Sequence, residues 1–290
     1  MSSKEIVTVI IPTYNRGDST VIAIESVLEQ NYDSLEILVV DDFSIDGSYD
    51  YLCKKYKEEK KVSVMRRCGD VKGANAARMT GLKNAKGKYI AFLDSDDQLV
   101  ANSISCRVDW LRTHMDTDMV YGDCIVKGDR VCYDNIQEKN QHKYLMEELS
   151  LCEYGVIMIR RELVDKLGEI DISLKAWQDD DMVLSIDRCG GHIEHCGEAV
   201  LIHNFSSVSI TSNYWNRYYG CKAVVSKYKA DIISECGFRR FILWKLRIVY
   251  DWCEAYGKKN DILYFQKKIV GWLQYICFLV CKKYFRHMYG

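Results

Sequence analysis

Two clusters of aspartates carry the side chains of this sequence that are best suited to chemistry. The first acidic cluster, Asp94-Ser95-Asp96-Asp97, directly follows the apolar run "YIAFL", and the second acidic cluster is Asp179-Asp180-Asp181. Because only one residue separates Asp94 from Asp96, both carboxylates can face one hard cation, and Mg²⁺ and Mn²⁺ prefer oxygen ligands. Like charges packed this closely disfavour folding unless a cation or ligand compensates them. The first acidic cluster therefore predicts a site for Mg²⁺ or Mn²⁺.

A metal site of this kind also predicts its partner. Mg²⁺ held by one or two carboxylates usually completes its shell with water and substrate phosphates, so a nucleoside diphosphate is expected. Each cluster also has a plainer interpretation. Asp and Ser after a strand are ordinary loop and capping residues, and aspartates in the first turn of a helix are stabilised by its dipole.

The elements that must position these clusters alternate between short strands and helices. β-branched or apolar runs predict strands, and apolar residues at helical spacing predict the helices between them. The predicted strands are Ile6–Ile11, which ends at Pro12, Leu35–Val40, Val62–Arg67 and Tyr89–Leu93, and the predicted helices include Ser19–Gln30 and Gly73–Asn84. This alternation predicts an α/β fold with a mostly parallel sheet.

Three polar segments follow predicted strands. They are Pro12-Thr13-Tyr14-Asn15, Asp41-Asp42-Phe43-Ser44 and the first acidic cluster. In open parallel sheets, ligands bind beyond the carboxyl ends of the strands. The three segments are therefore expected to converge on one ligand-binding edge.

Four segments together resemble a known family. "VTVIIPTYNR", "EILVVDDFSIDGS", "GANAARMTGLKNAKGKYIAFLDSDD" and "WQDDDMVLSI" are similar, in order and spacing, to the family 2 glycosyltransferases with the GT-A fold. The resemblance covers about residues 5 to 210 and extends most closely to bacterial enzymes that build O-antigen, capsule or exopolysaccharide. It implies a GT-A, Rossmann-like sheet flanked by helices, and a metal-dependent transfer of sugar from a nucleotide sugar, most often a UDP-sugar.

The resemblance implies a nucleotide site at the predicted sheet edge. Tyr14 would stack on the base, Asp42 would accept the base N–H, and Asp41 would either join them or hold the loop. The nucleotide-binding residues implied are Pro12, Thr13, Tyr14, Asp41, Asp42, Asn75, Arg78, Asp94 and Ser95. The divalent ion would neutralise the leaving diphosphate.

The metal ligands implied by the resemblance are Asp96 and Asp94. His203 lies near where related GT-A enzymes place a histidine on the metal or diphosphate, although an ordinary hydrogen-bonded histidine at a strand end is the alternative. A second metal interpretation, through Cys189, His192, His195 and Cys196 of "CGGHIEHC", matches no structural zinc pattern.

The second acidic cluster is implied to supply the catalytic base. In the family, the first aspartate of this segment, here Asp179, deprotonates the acceptor hydroxyl, and direct attack inverts the anomeric carbon. The neighbouring Trp177, Gln178 and Asp180 would contact the sugar or the acceptor, although a tryptophan in the core is an equal alternative for Trp177. Helical geometry turns the three adjacent aspartates in different directions, which favours Asp179 as the base.

The carboxyl-terminal region has a different character. From Arg217 to the end there are 15 Lys or Arg and 5 acids, although the whole chain of 290 residues has a net charge of −1. Apolar and aromatic residues recur here at helical spacing, and the run Ile269–Cys281 is too short to span a bilayer. The sequence thus predicts a catalytic domain at 1–212 and a helical region at 213–290 that contacts an anionic membrane surface, the acceptor or a second copy in a homodimer.

The compartment and the rival functions complete the prediction. The amino terminus lacks the pattern of a signal peptide, and the 13 cysteines form no Cys-x-x-Cys pair, so a cytoplasmic protein with reduced thiols, peripheral on the membrane, is expected.

The leading hypothesis is transfer to a lipid-diphosphate-linked saccharide or polysaccharide, with no nucleic acid as partner. A nucleotidyltransferase and an inactive adaptor on the same fold are the alternatives.

Overall fold

The computed structural model describes residues 5–126, 128–134, 140–149, 152–204 and 213–259. Within them the chain forms two compact units. The first comprises Met1–Gln141, Leu151–Ser173 and Met182–Ser206, and the second comprises His142–Ser150, Leu174–Asp181 and Ser207–Gly290. The second unit therefore includes two segments that precede the predicted region 213–290. The helix predicted beyond residue 260, with the run Ile269–Cys281, lies outside the described residues.

The amino-terminal half alternates strands and helices as the sequence predicts. Its elements are β1 (Val7–Thr13), α1 (Gly17–Leu28), β2 (Leu35–Asp41), α2 (Ser48–Lys55), β3 (Val62–Arg66), α3 (Ala74–Asn84), β4 (Tyr89–Phe92), β5 (Gln98–Leu99) and α4 (Ser103–Thr113). The remaining elements are β6 (Met119–Val126), β7 (Asp129–Val131), α5 (Gln141–Glu148), β8 (Ile157–Arg160), α6 (Arg161–Leu167), α7 (Gln178–Arg188), β9 (Ile193–His203), α8 (Tyr214–Lys227) and α9 (Lys229–Lys259).

The described strands form one sheet in the order β3-β2-β1-β4-β8-β6-β9-β5, with β7 paired to β6. β1 to β4 are mutually parallel where they pair, whereas β8 lies antiparallel to both β4 and β6. This confirms the predicted α/β class and adds antiparallel strands that the local alternation did not predict. Thr13 pairs with Asp41 in the β1–β2 register, so the loops after these strands begin side by side.

The expected end of the first strand at Pro12 was wrong, because β1 continues through Pro12 to Thr13. The backbone N–H and C=O of Ile10 point toward β4, because its carbonyl accepts from the N–H of Leu93. In a parallel sheet, the backbone groups of every second residue point to the same neighbouring strand. Pro12 therefore faces β4 too, beyond the last β1–β4 pair at Ile10 and Phe92. Because proline has no N–H to donate, the β1–β4 ladder does not continue at this position, whereas β1 stays paired with β2 through Thr13.

Close packing fixes α3 against the sheet. A Cβ added to Gly81 would lie 2.5 Å from a side-chain carbon of Ile10 in β1, so only glycine allows this approach. The same helix bears the buried side chains of Asn75 and Arg78, and Arg78 reaches Asp94, just after the end of β4. The glycine thus determines how near these two polar side chains stand to the first acidic cluster.

The second unit is largely helical. Asn213 caps α8, its side-chain oxygen accepting from the N–H groups of Trp215 and Asn216 at 3.1 and 3.3 Å. α9 is interrupted at Gly237, whose φ of 80° is not helical. Trp244 is fully buried in this unit. The helices agree with those predicted from the apolar spacing of the region before residue 260.

Candidate functional site

The loops after β1 and β2 are bonded to each other. The N–H of Asn15 donates to Ser44 Oγ at 2.8 Å, and the N–H of Ile45 donates to Asn15 Oδ1 at 2.9 Å. Asn15 and Phe43 have positive φ angles of 52° and 61°, which cost non-glycine residues energy and occur most often at ligand sites. Tyr14 remains 49% exposed beside them. The two predicted nucleotide loops therefore form one braced unit with an aromatic ring on its surface.

Asp41 and Asp42 have different surroundings although they are adjacent. Asp41 is fully buried, and its Oδ2 accepts from the N–H of Ser44 at 2.9 Å. Asp42 forms an ion pair with Arg67 through Oδ1, and its Oδ2 accepts from the N–H of Gly73 at 2.8 Å. Carboxylate oxygens accept more than one hydrogen bond, so Asp42 keeps acceptor capacity for a further donor. Asp41 holds the loop, whereas Asp42 lies partly exposed at its edge.

Asn75 and Arg78 of α3 are held by a tyrosine. The Tyr154 ring lies 3.9 Å from the Arg78 guanidinium carbon, and its hydroxyl is 3.3 Å from Asn75 Oδ1. Asn75 also accepts from Arg78 Nη1 at 3.2 Å and donates to the carbonyl of Asp171 at 2.9 Å. Arg78 in turn donates through Nη2 to Asp94 Oδ1 at 2.6 Å. The tyrosine therefore fixes the arginine that meets the first acidic cluster.

Each aspartate of the first acidic cluster has its own basic partner from a distant segment. The pairs are Asp94 with Arg78 at 2.6 Å, Asp96 with Arg16 at 2.7 Å and Asp97 with His203 at 3.3 Å. The side chains of Asp94 and Asp96 are 44% and 22% exposed, whereas that of Asp97 is buried. Asn204 also anchors this loop, its N–H donating to Asp97 Oδ1 at 2.8 Å. Two carboxylates thus remain accessible at the sheet edge while the third secures the loop.

His203 lies between two acids. Its Nδ1 is 3.3 Å from both Asp97 Oδ2 and Glu153 Oε2. The hydrogen bonds to Asp97 and then Glu153 raise the pKa of His203 to about 10, so the imidazole is a cation at neutral pH. Burial raises the pKa of Asp97, while bonds from His203 and Asn204 oppose that rise. These three side chains also bring one ligand atom each to within 4.8 Å of one another.

The second acidic cluster lies in the first turn of α7, in the segment that belongs to the second unit. Asp181 is buried, and Lys227 Nζ lies 2.7 and 2.9 Å from its two carboxylate oxygens. The Tyr228 hydroxyl is 3.2 Å from Asp181 Oδ1. Asp179 and Asp180 are half-buried. Asp181, the last of the three, thus forms a packed ion pair with Lys227.

Trp177 and Gln178 precede this cluster. Trp177 has a positive φ of 63°, and its half-buried ring packs edge-on against Trp244 with centroids 5.9 Å apart. Gln178 is buried and donates to the carbonyl of Leu174 at 2.6 Å. Both side chains thus help to fix the turn that leads into α7.

The cysteine and histidine segment Cys189–Cys196 does not assemble as a metal site. His195 Nε2 is bonded to Asp123 Oδ1 at 2.8 Å, while His192 lies 3.9 Å from Glu194. Among the described residues, the group with convergent ligand atoms is the one at His203. The cysteines that the structure describes are free thiols.

Four residues at the site were not predicted to be there. Arg16 is the last residue of the quoted segment "VTVIIPTYNR", and Arg67 is the last residue of a predicted strand, so their places near strand ends were an available signal. Tyr154 and Glu153 carried no such signal, because they lie far along the chain and outside any motif. They reach the site because β8, which follows them, pairs with β4.

Comparison with known proteins identifies the family. Residues 8–168 match the profile described as glycosyl transferase family 2. The chain belongs to this family. The match includes all three polar segments, of which the first acidic cluster is one, and it favours a glycosyltransferase over a nucleotidyltransferase.

Two curated relatives differ in how much of the chain they cover. The Escherichia coli UDP-Glc:alpha-D-GlcNAc-diphosphoundecaprenol beta-1,3-glucosyltransferase WfaP is 40% identical over 109 residues, which are 38% of this chain and 42% of that protein. The Bacillus subtilis glycosyltransferase TuaG, named for teichuronic acid biosynthesis, is 28% identical over 73% of this chain and 84% of its own length. The chain thus matches less than half of the first relative and most of the second.

Solved structures share the fold. Staphylococcus aureus TarS 1-349 in complex with UDP-GlcNAc has a TM-score of 0.62 and 18% identity, covering 85% of this chain and 72% of that one. The Pyrobaculum calidifontis mannosyltransferase PcManGT, in complex with GDP-Man and Mn²⁺, has a TM-score of 0.61 and 16% identity, covering 99% and 89%. These likenesses support the GT-A fold. In the part of the chain that is described, no helix is both long and apolar enough to cross a bilayer.

Proposed function

We propose that this protein is an inverting, metal-dependent glycosyltransferase that moves a sugar from a UDP-sugar to a hydroxyl of a lipid-linked or polysaccharide acceptor. The observation that carries the proposal is the first acidic cluster, whose three carboxylates are matched by Arg78, Arg16 and His203 at the edge of the sheet. Two of these carboxylates stay partly exposed beside the braced nucleotide loops. That combination suits a diphosphate that arrives with a cation.

The nucleotide is proposed to lie over the loops after β1 and β2. Tyr14 offers an exposed ring for stacking on the base, the preceding Pro12 and Thr13 are proposed to shape the pocket through their backbone, and Asp42 offers its remaining acceptor capacity to a base N–H. Asn75, Ser95 and Arg78, which pairs with Asp94, are proposed as further nucleotide contacts. A uridine nucleotide is favoured because WfaP, a relative by sequence, is named for UDP-Glc.

The donor atoms at the site fit a divalent ion. Asp96 and Asp94 supply oxygen ligands on one loop, as Mn²⁺ and Mg²⁺ require, and Asp96 is assigned as the principal ligand. His203 would join them only after losing the proton that Asp97 and Glu153 stabilise. When bound, the ion neutralises charge on the leaving diphosphate. Arg16 and Arg78 already hold these carboxylates, so the loop keeps its shape before the ion arrives.

Asp179 is proposed as the general base that removes the proton of the acceptor hydroxyl. The support is the family resemblance of this segment, in which the first aspartate is the base, together with the engagement of Asp181 by Lys227 and Tyr228. Trp177 and Asp180 are proposed to contact the donor sugar or the acceptor, and Gln178 to fix the turn. Attack by the hydroxyl opposite the leaving diphosphate then inverts the anomeric configuration.

The test is the release of nucleoside diphosphate by the purified full chain from a panel of UDP-sugars and GDP-mannose. Release that requires Mn²⁺ or Mg²⁺ and is abolished by EDTA is expected with at least one UDP-sugar. Glu58→Gln, an exposed carboxylate outside the site, serves as the control and should keep full activity. Absence of release from every donor, with UDP still bound, would support the inactive adaptor instead.

A further inference from the structure

The second unit carries an exposed apolar stripe along α9 after its interruption at Gly237. Its apolar members are 38% to 62% exposed. The apolar stripe consists of Phe238, Ile242, Lys245, Val249, Trp252 and Tyr256. At about 100° per residue, these positions lie within roughly 40° of one line on the helix, and they extend over about 27 Å. Solvent-exposed apolar surface in a continuous row is unusual for a soluble helix and marks an interaction surface.

The aromatic rings of the stripe are ordered against one another. Trp252 and Tyr256 stack with centroids 5.3 Å apart and an angle of 14° between the rings. Phe238 packs near Phe241 at 6.1 Å. Amphipathic aromatic side chains of this kind favour the boundary between lipid headgroups and acyl chains.

The charges near the stripe are basic. Lys245 lies within it, and the ammonium groups of Lys229 and Lys245 lie 5.6 and 5.2 Å from the Phe241 ring. Within residues 238–256 the acids are Asp251 and Glu254, about 140° to 160° around the helix from Tyr256 and Phe238. Both lie on the side of Arg217, which is 2.9 Å from Asp251 and 3.9 Å from Glu254. The packed side also holds the buried Arg240 and Arg247, the latter 3.3 Å from Asp251, so its charges are of both signs, whereas the charge within the exposed stripe is that of Lys245.

We infer that the apolar stripe is a docking surface for an anionic membrane, on which α9 lies parallel to the bilayer plane. Lysine at the centre of the stripe is unfavourable in a protein interface, whose core is depleted in lysine, but it is favourable beside anionic headgroups. The inference rests on the second unit alone and does not depend on the proposed transfer. Its consequence for that proposal is that the enzyme would stay near lipid-linked acceptors.

Vesicle flotation of the full chain, without nucleotide or metal, tests the inference. Wild-type protein should float with vesicles that contain phosphatidylglycerol and float poorly with pure phosphatidylcholine. Trp252→Glu should lower the partition coefficient at least about tenfold, because it removes aromatic burial and adds a repelled charge. Lys245→Gln should lower it about fivefold on anionic vesicles. Met115→Glu, which is 72% exposed in the first unit, is the matched control and should bind like wild type.

Circular dichroism melting shows whether each variant folds, and sedimentation velocity identifies other occupants of the stripe. The inference is overturned if folded wild-type protein does not float with anionic vesicles. It is also overturned if Trp252→Glu leaves flotation unchanged while it converts a dimer into monomers, because the stripe would then join two copies. The flotation result is independent of sugar transfer, so failure here and failure of the proposed function are distinguishable.

Discussion

The two acidic clusters have similar composition but different structural settings. In the first acidic cluster, a loop at the edge of the sheet, each of Asp94, Asp96 and Asp97 meets a cationic side chain from a distant segment. In the second acidic cluster, the first turn of a helix, the buried Asp181 is paired with Lys227, while Asp179 and Asp180 are half-buried. Cationic side chains pair with carboxylates in both clusters, but the first cluster lies in a loop at the sheet edge and the second in the first turn of a helix.

The two settings suit different chemistry. A loop whose carboxylates already bind cationic groups has the charge arrangement that a metal ion and a diphosphate need. Asp179, a half-buried carboxylate in the first turn of a helix, is of the residue type that serves as a general base. The following substitutions test whether the first acidic cluster binds the metal ion and diphosphate while the second supplies the general base.

The largest effect is expected from Asp179→Asn. The amide cannot accept the proton of the acceptor hydroxyl, so transfer should fall about 1,000-fold while the affinity for UDP stays nearly unchanged. Initial transfer rates and UDP titrations measure the two quantities. Asp180→Asn is the matched control and should lower the rate less than tenfold. The assignment of the base is wrong if Asp180→Asn is the more damaging change.

A smaller effect is expected from changes at Tyr154. Tyr154→Leu removes the ring that lies against the buried Arg78, which should lower kcat/KM about tenfold to thirtyfold, mainly through a higher KM for the donor. Tyr154→Phe keeps the ring and loses the contact with Asn75, so only a few-fold decrease is expected. A merely structural tyrosine would instead lower the melting temperature without raising KM, and equal effects of both variants would contradict the role of the ring.

The second acidic cluster predicts a stability effect. Lys227→Met leaves the buried Asp181 without its ammonium partner and should lower the free energy of unfolding by about 1 to 3 kcal/mol. Urea denaturation provides the measurement. Lys222→Met, an exposed lysine of the same helix, should change it by less than about 0.5 kcal/mol. Similar losses in both variants would show that the ion pair with Asp181 contributes little.

The smallest effect concerns pH and the histidine of the first acidic cluster. Since folding raises the pKa of His203 from its ordinary 6.5 to about 10, the protonated pair stabilises the fold fully below pH 6.5 and is lost as pH rises through 10. The melting temperature in EDTA should therefore decline over this range. His203→Gln should flatten the decline, and an unchanged slope in that variant would contradict the assignment.

The sequence was sufficient for much of the first unit. Local runs such as Leu35–Val40 and Tyr89–Leu93 identify strands, because apolar side chains that are buried on both faces leave a continuous pattern. The rule that ligands bind beyond strand ends then brings the polar segments together without any coordinates. The helices before residue 260 followed from apolar spacing in the same way.

The remainder depends on contacts between distant segments. β8 pairs between β4 and β6, which brings Tyr154 and Glu153 to the site. No local sequence pattern predicts this strand order. Arg16 and Asp96 are 80 positions apart, so their ion pair follows only from the folded sheet. The continuation of β1 through Pro12 likewise depends on β4 ending opposite Ile10.

The division of labour is tested most directly by calorimetric titration of UDP, with and without Mn²⁺, into Asp96→Asn and Asp179→Asn in parallel with wild type. We expect Mn²⁺ to strengthen UDP binding in wild type and in Asp179→Asn, and we expect Asp96→Asn to lose this enhancement. If Asp96→Asn keeps the full enhancement, or if Asp179→Asn loses it as well, the two clusters do not have the separate roles assigned to them.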